Sequence, residues 1–144
     1  MKKILFIFLL IISLLIFYFS KHSERIQQNE EIFSNLYDVF ILKINQTAFI
    51  KSENLKIKFV NVIEDSRCPV DVVCVWAGRV VVLLSISKDN KYFEDFELSY
   101  SISQKEQDKK IFDGYSIKFI RIEPEKFSKQ KISEYFAYFS VSKI

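Results

Sequence analysis

Alternation of apolar and polar side chains with a period of two restricts the fold of this chain more than any other feature. Residues 96–103, FELSYSIS, place their large apolar side chains on one side of an extended strand. Because successive side chains of a strand point to opposite faces, one face is predicted to be buried and the other exposed. Alternating or apolar runs predict further strands at residues 39–44, 55–60, 80–86, 115–119 and 136–141.

Short polar segments separate these runs and predict turns. Asp113-Gly114 is the clearest, because glycine tolerates the positive φ that a tight hairpin needs. The chain has only two Gly and two Pro, so the other turns must depend on Asn, Asp, Ser and Lys. Six to eight strands joined by short turns predict an all-β domain, an antiparallel sandwich or barrel, over residues 38–144.

Residues 1–20 predict an export signal. After Lys2 and Lys3, residues 4–19 form an apolar run without a charge. Two alternatives remain: an uncleaved apolar helix that anchors the chain in the membrane, or a signal peptide whose removal leaves a periplasmic or secreted domain. The run is longer than a usual signal core, and neither a small-x-small peptidase site nor a lipid-acceptor Cys follows it. These features favour the anchor.

Residues 21–37 are polar with loosely spaced apolar positions, and we interpret them as a stalk that leads into the β domain. The expected location is the cell envelope, with the domain on the outer side of the cytoplasmic membrane.

Apart from Lys2 and Lys3, the chain has 19 basic and 18 acidic side chains, mixed along its length. Such a balance offers no basic surface for a phosphate backbone, so nucleic acid is not expected as a partner.

Residues 65–78, DSRCPVDVVCVWAG, contain both cysteines of the chain. Cys68 and Cys74 have no third competitor, and in an exported chain such a pair predicts a disulfide, with free thiols as the alternative. A metal site needs more ligands than two thiols, so we expect neither a metal nor another cofactor. A ring this short is expected to shape the loop more than it stabilises the fold.

Polar and aromatic side chains around these cysteines are the candidate site. Asp65, Arg67 and Asp71 either form a salt-bridged frame for the loop, with Ser66 capping a turn, or are displayed to a partner. The single Trp76 either fills the core beside the disulfide or offers a binding face. Gly78 is expected to permit a bulge or a close backbone approach before the next strand.

The segment DSRCPVDVVCVWAG, preceded by LKIKFVNVIE and followed by an apolar strand, resembles a family of small bacterial secreted or lipoprotein-like domains. In that family an Asp-Ser-Arg-Cys-Pro loop leads through a second Cys to Trp-Ala-Gly. The later GYSIKFIRIEP and the Tyr-rich last strand are also similar, so the resemblance covers residues 38–143. It implies export, a Cys68–Cys74 bridge and a β fold, and transfers no catalytic residue. Members often carry a lipid-attachment Cys where this chain has Ser20, which favours a protein anchor.

Catalysis is not expected. His22 is the only histidine and both cysteines are committed, so the usual Ser-His and Cys-His nucleophiles are missing. The first hypothesis is an envelope-anchored, non-catalytic binding or structural module, with an envelope protein or a small ligand as partner. The alternative is an inhibitor-like protein that presents the disulfide-constrained loop around Arg67 to a target enzyme. A third hypothesis is a small-ligand site formed by Trp76 and neighbouring Tyr side chains.

Overall fold

A computed structural model describes residues 10–18, 30–101 and 109–144. Residues 10–18 are helical, and the rest of the described chain forms nine strands and one short 3₁₀ turn at Lys51–Glu53. The strands are β1 (Glu31–Ser34), β2 (Val39–Lys43), β3 (Thr47–Ile50), β4 (Leu55–Asp65), β5 (Val80–Lys88), β6 (Lys91–Tyr100), β7 (Lys109–Phe112), β8 (Tyr115–Glu123) and β9 (Phe136–Lys143).

The strands form two packed sheets, in the orders β1-β3-β4-β5-β6 and β2-β9-β8-β7. Neighbouring strands are antiparallel except β1 and β3, which are parallel. The prediction of an all-β antiparallel sandwich behind an N-terminal apolar helix is therefore confirmed. Nine described strands exceed the predicted six to eight, because β1 and β7 have only four residues each and give little alternation to detect.

The inward faces of the two sheets share one hydrophobic core. Phe59 of the first sheet and Phe119 and Phe139 of the second are fully buried. The ring centroids lie 6.1 Å apart for Phe59 and Phe139, and 5.3 Å apart for Phe119 and Phe139. Burial of such side chains contributes about 1.5–3 kcal/mol each, so this aromatic centre holds the two sheets together.

The β domain begins earlier than the sequence analysis predicted. The predicted stalk extends to residue 37, whereas β1 already pairs with β3 from Glu31 onward, and Ile32 and Leu36 pack against the core. The four residues of β1 are too few to show an alternation, so the spacing of Ile32 and Leu36 resembles that of a helix. The first part of the predicted stalk, residues 21–29, lies outside the described residues, as does His22.

The predicted anchor, residues 4–19, lies only partly within the structure, since residues 1–9 and 19–29 are outside the described residues. In the part of the chain that is described, no helix combines the length and the apolar character that crossing a bilayer requires.

The two ends of the sandwich differ in chemistry. One end, here named the turn pole, carries the turns at residues 51–54, 89–90 and 113–114. Asp113 and Gly114 have φ of 44° and 78°, which confirms the predicted tight hairpin between β7 and β8. The opposite end, the loop pole, carries the β4–β5 connection at residues 66–79 and the β8–β9 connection at residues 124–135.

Candidate functional site: the disulfide loop

Cys68 and Cys74 form a disulfide with a Cα–Cα distance of 5.9 Å, as predicted. β4, which precedes the loop, is longer than the predicted run at 55–60 and continues to Asp65, whereas β5 starts at Val80, where the predicted run at 80–86 begins. Two backbone hydrogen bonds prolong the hairpin into the loop. Ser66 N donates to Arg79 O at 2.8 Å, and Cys68 N donates to Ala77 O at 3.0 Å. The arms of the loop therefore project from the loop pole as an extension of β4 and β5.

Two irregularities in β4 aim Asp65 toward the interior. The register with β5 shifts between Phe59 and Asn61, and again between Val62 and Glu64. After these shifts Asp65 pairs with Val80, whose side chain is fully buried. Bulges of this kind re-aim the side chains that follow them. As a result a carboxylate, with a side chain only 9% exposed, lies at the inner base of the loop.

Arg67 neutralises this carboxylate. Its Nε and one terminal nitrogen each donate to Asp65 at 2.8 Å, and the other terminal nitrogen donates to Ile122 O at 3.3 Å. Tyr135 donates its hydroxyl to Asp65 at 3.1 Å. Burial opposes ionisation of Asp65, but the hydrogen bonds and charge of Arg67 outweigh it, so the pKa of the carboxyl lies below its ordinary value. We name Asp65, Arg67 and Tyr135 the buried frame.

The loop is also fixed to the β8–β9 connection. Val70 N donates to Lys126 O at 2.9 Å, and Lys126 Nζ donates to Asp65 O at 2.7 Å. Asp71 accepts from the backbone N and the hydroxyl of Ser128, at 2.8 and 2.6 Å. These two hydrogen bonds, the hydroxyl's first, lower the pKa of Asp71. Asp71 therefore attaches the loop to a neighbouring segment through Ser128, whereas the frame hypothesis placed it in a salt-bridged frame with Arg67.

Ser66 links the two arms of the loop, whereas the sequence analysis assigned it to capping a turn. Its Oγ donates to Glu64 at 2.7 Å and accepts from Arg79 N at 3.2 Å. Glu64 also pairs with the Arg79 guanidinium at 3.0 Å, in a more exposed ion pair. The bonds from Arg79 and then from Ser66 lower the pKa of Glu64.

Gly78 is required where the two arms cross. Its φ is +68°, and a Cβ at this position would lie 1.9 Å from Ser66 O. No side chain larger than hydrogen fits there without displacing the backbone. The predicted close approach at Gly78 is confirmed.

Beyond this fixed base the loop ends in an apolar tip, which we define as Val73, Val75 and Trp76. Their exposed fractions are 102%, 91% and 82%. Trp76 therefore does not fill the core beside the disulfide, and the interpretation that placed it there is wrong. Its other interpretation, a binding face, is compatible with this exposure. The one sequence signal for the tip is a valine-rich stretch that does not follow the strand alternation.

A cleft of about 930 Å³ opens beside the base of the loop. Tyr100, Ile122, Phe127 and Phe136 provide apolar wall, but Trp76 does not line it. The small-ligand hypothesis, which needed Trp76 near a cavity, is not favoured by this arrangement. Within residues 10–18, 30–101 and 109–144, no group of three or more His, Cys, Asp or Glu side chains is placed to hold a metal ion.

No protein-family model, curated protein or solved structure matches this chain. The buried frame and the hydrogen bonds to residues 126 and 128 hold the base of the loop, and the disulfide constrains the ring that leads to the tip. Chemically, this arrangement can present an uncharged surface to a partner in a fixed conformation.

Replacing Cys68 and Cys74 together with Ala is expected to lower the free energy of unfolding by only about 2 kcal/mol, because the closed ring is short. Urea denaturation of the wild-type and double-variant chains measures this loss. A loss large enough to abolish folding would show that the disulfide, and not the buried frame, holds the base of the loop.

Proposed function

We propose that this chain is a non-catalytic binding module of the cell envelope. Residues 4–19 anchor it in the cytoplasmic membrane, and the β domain lies on the outer side. The charge-free run behind two lysines supports the anchor, and the disulfide supports an oxidising compartment. The resemblance of the loop motif to exported bacterial domains points in the same direction.

The observation that carries the proposal is the contrast between the base and the tip of the loop. A cluster of exposed apolar side chains lowers solubility and commonly marks a site that contacts a partner. Tryptophan is enriched among the residues that dominate binding energy. A fixed base also reduces the entropy that a flexible loop would lose on binding. Exposure of Val73, Val75 and Trp76 on such a base supports a binding role.

The inhibitor-like alternative has less support, because it requires a displayed Arg67. The guanidinium is bound to Asp65 and to Ile122 O, and only 16% of the side chain is exposed. A target enzyme would have to extract Arg67 from an ion pair and leave Asp65 buried without its partner. We therefore place the contact surface at the tip and not at Arg67.

Site-specific photo-crosslinking from position 73 tests the proposal in intact cells that express the full chain. Val73 is fully exposed, so a photoreactive side chain fits there without disturbing the packing. We expect irradiation to give a discrete adduct to an envelope component, either a protein or lipid. Such an adduct should require export of the domain.

Position 90 provides the matched control, since Asn90 lies in an exposed turn at the opposite pole. The same photoreactive side chain there should give no such adduct. Equal adducts from both positions, or none from position 73, would contradict the proposed binding role of the tip.

A further inference from the structure

We infer that the partner of the apolar tip is the outer surface of the lipid bilayer in which the chain is anchored, an inference that rests on the proposed function. The tip carries the side chains that insert into a membrane interface. Tryptophan favours the headgroup level, and valine favours the acyl boundary beneath it. Residues 72–77, VVCVWA, carry no charged side chain that would resist this transfer.

The direction of β1 places the tip at the end of the sandwich from which the chain enters. β1 is parallel to β3, and β3 is antiparallel to β4, so the start of β1 and the end of β4 point the same way. Glu31 is level with Thr47 and, across β3, with Lys58. From Lys58, β4 continues to Asp65, and the loop arms extend the hairpin further. The anchor side of the chain and the tip therefore share one direction.

The length of chain before β1 fits contact between the tip and the membrane. Twelve Cα–Cα steps separate Tyr18, the last described residue of the N-terminal helix, from Glu30. Twelve steps can span at most about 40 Å. From the level of Glu31 to the tip, β4 and the loop arm cover roughly 30 Å at about 3.3 Å per residue. The chain is long enough for the tip to reach the bilayer and too short to let the domain move far from it.

The opposite pole is chemically unsuited to lipid. It carries ion pairs between Lys88 and Asp113 at 2.6 Å and between Lys143 and Glu53 at 2.9 Å. Turning these groups toward a bilayer would strip water from charges. Among the described residues, the three most exposed large apolar side chains, Val73, Val75 and Trp76, all lie at the pole with the disulfide loop.

Charge does not direct this contact. The loop-pole segments 64–79 and 123–134 contain five basic and six acidic side chains. Anionic lipid therefore gains no net attraction, and the docking should depend on apolar burial alone. It should persist at high salt and on purely zwitterionic membranes.

Fluorescence of Trp76 in the reconstituted full chain tests the inference, because Trp76 is the only tryptophan. The chain is placed in phosphatidylcholine vesicles with or without bromine on the acyl carbons nearest the headgroup. We expect the bromine to quench Trp76, and the quenching to be unchanged by high salt. The Val73→Ser/Val75→Ser variant should lose most of it.

A second reporter controls for unspecific adsorption. In the Trp76→Phe/Tyr92→Trp variant the indole replaces an exposed tyrosine near the turn pole, and brominated lipid should leave it unquenched.

Equal quenching of both reporters, or no quenching of Trp76, overturns the bilayer contact. If Trp76 is unquenched while position 73 crosslinks to an envelope protein in cells, the binding module stands and its partner is a protein. Chain that fails to float with the vesicles contradicts the anchor itself.

Discussion

Arg67→Ala is expected to lower the free energy of unfolding by about 3–5 kcal/mol, the usual effect of removing one partner from a buried ion pair. Asp65 would keep its charge with only Tyr135 and backbone groups to stabilise it, in a side chain that is 9% exposed. The bond from Arg67 to Ile122 O, which ties the loop to β8, would also be lost. Urea denaturation of the full chain measures the difference.

Arg79→Ala is the matched control. Arg79 also pairs with a carboxylate beside the loop, Glu64, but the side chains of this pair are 55% and 40% exposed. Solvent screens such a pair, so its loss should lower the free energy of unfolding far less than the loss of Arg67 does. Equal losses in the two variants would contradict the assignment of Arg67 to a buried frame.

The effect of pH on the stability of the Arg67→Ala variant has a predictable sign. In the native chain the pKa of Asp65 is lowered, so its contribution to stability is complete above its ordinary pKa of about 3.9 and is lost as the pH falls through the folded value. Without Arg67, burial raises the pKa of Asp65, and protonation then relieves the unpaired charge. The stability difference between native chain and Arg67→Ala should therefore narrow on acidification. A difference that stays constant with pH would show that Asp65 is not the partner through which Arg67 acts.

Gly78→Ala is expected to cost about 2–4 kcal/mol, the sum of a left-handed backbone with a Cβ and a steric overlap. The added Cβ would lie 1.9 Å from Ser66 O, so the two arms of the loop must separate. Their separation should break the bond from Ser66 N to Arg79 O. Hydrogen exchange at the Ser66 amide reports this rupture, and denaturation gives the free energy.

Gly114→Ala separates the cost of the left-handed backbone from the cost of the steric overlap. Gly114 also has a positive φ, +78°, but a Cβ there meets nothing within 4 Å. Only the backbone conformation is penalised, at about 1 kcal/mol. If both variants lose the same stability, the crossing of the arms at Gly78 is looser than the structure indicates.

Features set by neighbouring residues could be predicted from the sequence. Strand alternation gave the β-sandwich, and an isolated cysteine pair gave the disulfide. Asp113-Gly114 identified a hairpin because two positive φ angles require such residues. In each case the physical cause lies within a few positions of the signal.

Features set by distant residues could not be predicted in the same way. The partners of the frame, Ile122 and Tyr135, lie 55 positions from Arg67 and 70 positions from Asp65. The choice between a frame and a displayed loop therefore depended on tertiary contacts. β1 was not predicted as a strand, because it pairs with β3 in parallel and no tight turn joins the two strands. Exposure of Trp76 runs against the general tendency of large apolar side chains to be buried.

We propose that the base of the loop carries stability and the tip carries binding. The decisive variant is Trp76→Ser in the full chain that carries the photoreactive side chain at position 73, and the measured quantity is the yield of the adduct in cells. We expect the yield to fall at least about tenfold, as for a residue that dominates an interface, while the free energy of unfolding changes by less than about 0.5 kcal/mol. An undiminished yield at unchanged stability would contradict the claim, and so would a loss of several kcal/mol, which would place Trp76 in the core.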